Sequence, residues 1–200
     1  MTTSTFPRWQ GDTDPPFVYQ LCVGLRDRFD VHVLAPHQAG CNTEETVNGI
    51  HVHRYRYAPE RLEILAYDGG MLRRIRANPL NLLILPGFLL AQCFALLRLQ
   101  RQFKFALVHS HWIVPQGLVA AICGQKFMLT SHGGDLFALR GGAMKILKRW
   151  VLTRAKLVTV VSRTMREECV ALGVPAQDVR VRSMGVDTQT LFTPPPTTVN

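Results

Sequence analysis

Charge is scarce in this sequence: Asp, Glu, Lys and Arg together make up 18% of it, and the acidic residues number only 14. A chain so poor in charge and 47% apolar buries enough surface to fold, which excludes intrinsic disorder. The five cysteines, Cys22, Cys41, Cys93, Cys123 and Cys169, contain no C-x-x-C pair. That spacing excludes a zinc ribbon and a dense disulfide framework, and leaves free thiols in a reducing compartment. Also missing are G-x-G-x-x-G, G-x-x-x-x-G-K and G-x-S-x-G, so dinucleotide oxidoreductases, P-loop enzymes and serine hydrolases lose their usual signatures. Met1 to Asp12 lacks a charged segment followed by an apolar one, so no secretory signal is expected and the cytoplasm is the default location. Residues 82–97 form the longest apolar run, broken by Pro86-Gly87 and Gln92. It falls short of the roughly 20 residues of a membrane span. A buried core helix or an interfacial membrane segment is expected there instead.

What the sequence does have is positive charge. Lys plus Arg number 23, so the balance is 23 − 14 = +9, with a pI near 9.8. Such a surplus points to a polyanionic neighbour. Two hundred residues usually make one domain.

Short β-branched runs alternate with helical patterns. Strands are expected over residues 31–35, 50–57, 105–110, 127–131, 157–162 and 179–184. Most are continuous apolar runs, as parallel strands covered on both faces require. The run 50–57 alternates instead and is expected nearer an edge. A helix is expected from Phe17 through Phe29, where apolar residues recur at i, i+4 after Pro15-Pro16. Further helices are expected over 82–102, 114–125, 143–154 and 163–172, the last opened by Ser162 and closed by Gly173. The alternation predicts the α/β class: a doubly wound, mostly parallel Rossmann-like sheet. Residues 1–192 would form this domain, and the proline-rich 193–200 reads as the start of an interdomain linker. Only Met1 to Phe6 is available for the first, central strand, so that strand is expected to be truncated and the chain clipped at both ends.

In an open α/β sheet, ligands bind outside the carboxyl ends of the strands. Past those ends stand His109-Ser110-His111-Trp112, Ser131-His132-Gly133-Gly134-Asp135, Ser162, and Gly185-Val186-Asp187. His132 is the leading candidate, because Gly133 and Gly134 let a ligand approach the backbone closely. At most one of His109 and His111 is expected to face the crevice, and either reads equally as a satisfied, hydrogen-bonded histidine. No third ligand stands at zinc spacing, so no metal site is expected. Asp135 is either the N-cap of the short segment 136–139 or a ligand contact. His51 and His53 are expected at the surface. Lys145, Lys148 and Arg149 share a helix face, and Arg73, Arg74, Arg76, Arg98 and Arg101 flank the apolar run. They read as a solvated face or as contacts to an anionic membrane surface. No nucleic-acid partner is expected.

Thr5-Phe6-Pro7-Arg8-Trp9-Gln10-Gly11-Asp12, His109-Ser110-His111-Trp112, Ser131-His132-Gly133-Gly134-Asp135-Leu136, Val161-Ser162 and Met184-Gly185-Val186-Asp187 occur in that order. Together they resemble the N-terminal domain of glycosyltransferase family 4, over nearly the whole chain. The resemblance implies two Rossmann-like domains facing a cleft. It implies a retaining transfer from a nucleotide-sugar donor, without a metal or other cofactor, to a sugar or lipid-linked acceptor held mainly by this half. By the same resemblance, His132 contacts the transferred sugar as the catalytic residue, and Gly11 faces the donor diphosphate. Gly11, His111, Gly133, Gly134, Asp135 and Ser162 are the expected substrate-binding residues. Pro15 stands where the family pattern has a second glycine, and a proline has no N–H to offer a phosphate. The donor nucleotide would be held by a C-terminal domain that this sequence lacks, so the isolated chain is expected to be inactive. The other reading is a non-catalytic module that binds anionic lipid or sugar.

Overall fold

The computed structural model describes residues 1–185 apart from Gln10, Thr13, Pro15 and Asp68. The expected linker, together with Val186 and Asp187, lies outside the described residues. Among those described, the strands are β1 His32–Pro36, β2 Glu44–Val47, β3 Ile50–Tyr55, β4 Val108–His111, β5 Phe127–Ser131, β6 Val158–Val160 and β7 Val179–Val181. The α-helices are α1 Phe17–Leu25, α2 Met71–Ala77, α3 Leu85–Phe103, α4 Leu118–Ile122, α5 Gly134–Phe137, α6 Gly142–Leu152 and α7 Arg163–Ala171.

The strands lie in two ladders, ordered β2-β3-β1 and β4-β5-β6-β7, and every pairing is parallel except β2 with β3. Thr2 joins them, bridging in parallel to Leu34 on one side and Ser110 on the other. The N-terminal residues thus occupy the central position of a doubly wound, Rossmann-like sheet, with a short bridge at the place of the first strand, which was expected to be truncated. Alternation along β1 sends Val33 and Ala35 into a core with Val18 and Cys22 of α1. Leu34 goes to the opposite face, where it joins Phe88, Leu96 and Leu99 of α3.

Local chemistry sets the boundaries. The Ser162 hydroxyl accepts the Met165 N–H at 3.3 Å and caps α7. Gly173, at φ 96°, ends it, a left-handed position that a side chain would strain. Two elements went unexpected. The edge strand β2 is Glu-Glu-Thr-Val, too polar to look like a strand, yet Asn48-Gly49 after it supplies the tight turn into β3 with both φ values positive. The arginine-rich α2 carries no fully buried residue, and only Met71 and Ile75 of its seven residues pack against the core, too short an apolar pattern to mark a helix. β3 consequently sits one strand in from the edge.

The run 82–97 falls in a continuous helical stretch, Pro79–Phe103, of 25 residues, in which an 18-residue window reaches a mean hydropathy of 2.1. By length and composition alone this stretch is sufficient for a span, longer than the sequence reading allowed. Its inner face (Phe88, Gln92, Leu96, Leu99) is buried, as expected of a core helix. Leu83 and Phe94 are 78% and 70% exposed. Only one face is core.

Lys148 departs from the expected basic face. It is buried, and its Nζ donates to the carbonyls of Leu136, at 2.8 Å, and Ala138. Burial lowers its pKa. Those carbonyls close the short α5, the segment that follows His132, and a cation there also complements the helix end. Lys148→Met should strand both acceptors and cost about 1–3 kcal/mol, read as a drop in urea midpoint. An unchanged midpoint would mean that water replaces the ammonium.

Candidate active site at the carboxyl edge of the sheet

β4 and β5 end side by side, with His111 opposite Thr130 in register. The chain then leaves β4 through Trp112, at φ 72°, a left-handed conformation that costs a non-glycine residue roughly 1–3 kcal/mol. It leaves β5 through His132 and Gly133, the latter at φ 98°, where glycine is the residue that fits. A Cβ added at Gly134 would meet nothing within 4 Å. Packing therefore makes no demand for that second glycine.

These two exits place His111 Nδ1 3.1 Å from His132 Nε2, with the rings stacked at 5.3 Å and 10°. Phe17 of α1 and Trp112 flank His132, at 4.7 and 4.9 Å between centroids. Behind His111 lies His109, 4.4 Å away and stacked, with its Nε2 2.7 Å from Thr130 Oγ1. The sequence reading that at most one of His109 and His111 faces the crevice is corrected. Residues two apart on a strand share a face, and both line the same cavity. His111 Nε2 is buried and has no hydrogen-bond partner among the described residues. Such an atom is costly to leave unmet.

Burial pushes all three imidazoles down: His109 to about 3, His111 well below the ordinary value, and His132 less, since the Asp135 carboxylate opposes the shift. Each is therefore neutral at pH 7, able to donate or accept a hydrogen bond without carrying charge.

Asp135 does most to fix this geometry. One carboxylate oxygen accepts the Ser131 hydroxyl at 2.8 Å and the His132 N–H at 3.2 Å. The other accepts the Ile113 N–H at 2.7 Å. It thus ties the exit of β4 to the exit of β5 across the imidazole pair.

The cavity, about 680 Å³, lies between α1 and the exposed face of β4, β5 and β6. His109, His111, His132, Thr130, Thr159 and Arg182 are among its lining residues. Gly11, at φ 80° in the first loop, and Ser162, engaged in its cap, are not. Thr130, Thr159 and Arg182 escaped the sequence reading. The expected last strand ran on to residue 184, which hid Arg182 inside it, whereas β7 stops at Val181 and puts Arg182 where ligands bind. Among the described residues, the one group of three His, Cys, Asp or Glu side chains close enough for a metal ion is Asp30, His32 and His51, remote from this crevice.

Comparison with known proteins fits this arrangement. The family model of Glycosyltransferase Family 4 matches residues 16–190. No curated protein matches the chain significantly. Among solved structures, a sucrose-phosphate synthase from Thermosynechococcus elongatus has a similar fold. Its TM-score is 0.57 at 14% identity, over 85% of this chain and 86% of that one.

Proposed function

We propose, given that the chain belongs to glycosyltransferase family 4, that it is the acceptor-side half of a retaining hexosyltransferase. The reaction moves a sugar from a nucleotide-sugar donor, with no metal or other cofactor, to an acceptor at a membrane in polysaccharide or glycolipid synthesis. The observation that carries this reading is the neutral His111–His132 pair on the wall of a cavity at the carboxyl edge of the sheet. Sugars present hydroxyls and flat apolar faces. The wall offers both counterparts, imidazole nitrogens and the rings of Phe17 and Tyr19. His132 is placed to hydrogen-bond the transferred sugar, and Asp135 acts as its positioning residue.

The membrane part of the proposal draws on the continuous helical stretch Pro79–Phe103. Leu83, Leu90 and Phe94 are exposed, and Arg98 and Arg101 follow them along the same helix. The amphipathic face would rest on the headgroup region, each nearby cation adding about 1 kcal/mol on an anionic surface, screened by salt. Lys145 and Arg149 on α6 are also exposed; Lys148, being buried, drops out of this set. The chain should therefore sediment with anionic vesicles at low ionic strength and be released as salt rises. Nucleotide sugars should bind the chain alone only weakly, with Kd above about 1 mM. Tight donor binding by this chain, or equal sedimentation with neutral vesicles at high salt, would contradict the assignment.

A further inference from the structure

At the opposite edge of the sheet, where β1 and β3 begin, three histidines and a carboxylate crowd together. Asp30 lies in the turn before β1, His32 opens β1, and His51 pairs with it across the ladder. We propose that Asp30, His32 and His51 bind a divalent transition-metal ion of the zinc class, tying β1 to β3 at a site separate from the sugar crevice.

The distances carry this. Asp30 Oδ2 is 3.3 Å from His32 Nε2, and Asp30 Oδ1 is 3.5 Å from His51 Nε2. All three ligand atoms lie within 4.8 Å of one another. A tetrahedral ion with bonds of about 2.0–2.1 Å holds its ligand atoms roughly 3.3 Å apart. Each imidazole nitrogen thus stands near coordination spacing from one of the two Asp30 carboxylate oxygens. The remaining edges, none longer than 4.8 Å, shorten by a small rotation of His51, whose side chain is 45% exposed. Water completes the shell.

The surroundings are those a ligating imidazole needs, with its other nitrogen already held. His32 Nδ1 is 3.0 Å from His53 Nε2, and His51 Nδ1 is 3.4 Å from Thr46 Oγ1. Glu44 stands 3.8 Å beyond His53 and is itself paired with Arg98 at 3.2 Å. Phe103 and Phe105 pack on the His32 ring at 4.2 and 5.2 Å and cover its flank. His53 therefore belongs to a half-buried cluster, and the expectation that it lies at the surface is corrected; His51 is the exposed member.

The test is calorimetric titration of the tag-free, chelator-treated chain with Zn2+, repeated with Co2+ while its visible spectrum is recorded. The expected result is one saturable site, with tetrahedral Co2+ bands and no thiolate charge-transfer band. His51→Ala and Asp30→Asn should each weaken binding at least about ten-fold, while His132→Ala leaves it unchanged. His51→Ala should melt close to the parent in the absence of metal, since nearly half of its side chain is already in solvent. Absence of saturable binding, a thiolate band, or affinity untouched by His51→Ala would each overturn the site.

Discussion

His132→Ala is expected to lower turnover about 10²-fold, the typical loss when one positioned hydrogen-bond donor is removed from a reacting centre. The measurement needs a polypeptide carrying the donor-binding half, with initial rates and melting temperature recorded together. Melting should move little, because His132 is a half-buried loop residue. Truncating it removes one ring from a stack that Phe17, Trp112 and His111 continue to form. His132→Gln, which keeps an N–H and a carbonyl near His111 Nδ1, should recover part of the rate. Lys126→Ala, an exposed change at the other end of β5, should recover all of it. If His132→Ala turns over at the parental rate, or unfolds the protein, the residue does not serve the sugar.

The largest stability effect is expected at Arg8. Its guanidinium meets Asp12 in two parallel bonds, Nε to Oδ2 at 2.8 Å and Nη2 to Oδ1 at 2.7 Å, with side chains only 6% and 1% exposed. Gln38 takes another guanidinium N–H at 2.7 Å, and the rings of Trp9 and Tyr67 lie 4.5 and 4.8 Å from it. Arg8→Met leaves Asp12 buried without its partner and should cost about 3–5 kcal/mol, a large part of the roughly 5–15 kcal/mol of a whole domain. Arg8→Met with Asp12→Leu should cost much less, since neither charge remains.

A pH dependence follows from the same contact. The Arg8 hydrogen bond holds the Asp12 carboxyl well below the usual carboxylate range. A depressed carboxyl stabilises the fold above its unfolded value, about 3.9, and loses that contribution as pH falls further. The buried histidines act in a higher window. With His109 at about 3 folded and about 6.5 unfolded, stability should fall between those values as the unfolded chain takes up protons. Urea midpoints should thus decline below about pH 6.5 from the histidines and, below about pH 4, from Asp12 as well. A flat profile would remove both.

How much of this was legible depended on whether a residue acts locally. Ser162 and Gly173 bracket α7 as read, because a cap is a contact within one turn. β5 kept both its ends, since an apolar run between a lysine and a Gly-Gly turn leaves little choice. β2 was missed because an edge strand covered on one side needs no apolar run, although Asn48-Gly49 announced its hairpin. His109 and His111 were misjudged by a geometric slip, as their two-residue spacing already required a shared face. The role of Asp135 was not readable at all. Cap and ligand were the local options, whereas its second oxygen bonds Ile113, 22 positions away. Asp30, His32 and His51 likewise meet only once β1 and β3 pair.

The join at Thr2 bears on how the molecule comes apart. Each ladder is stitched internally, and among the described residues the backbone bonds that join them are those of Met1, Thr2 and Thr3: Thr2 N–H to His109, His111 N–H to Thr2, Thr3 N–H to Leu34, and Leu34 N–H to Met1. On the α3 side a common core crosses this line, with Leu34 and Tyr55 packed among Val108 and Leu129. On the α1 side the apolar cluster stops at β1 and β3, and the cavity begins. Cooperativity is therefore unequal on the two faces of one sheet. Segments joined by few bonds open more readily, so local opening should begin on the α1 side of the line between the two ladders. The imidazole pair rides wholly on the second, and the mouth of the crevice is the place where the two are least committed to each other.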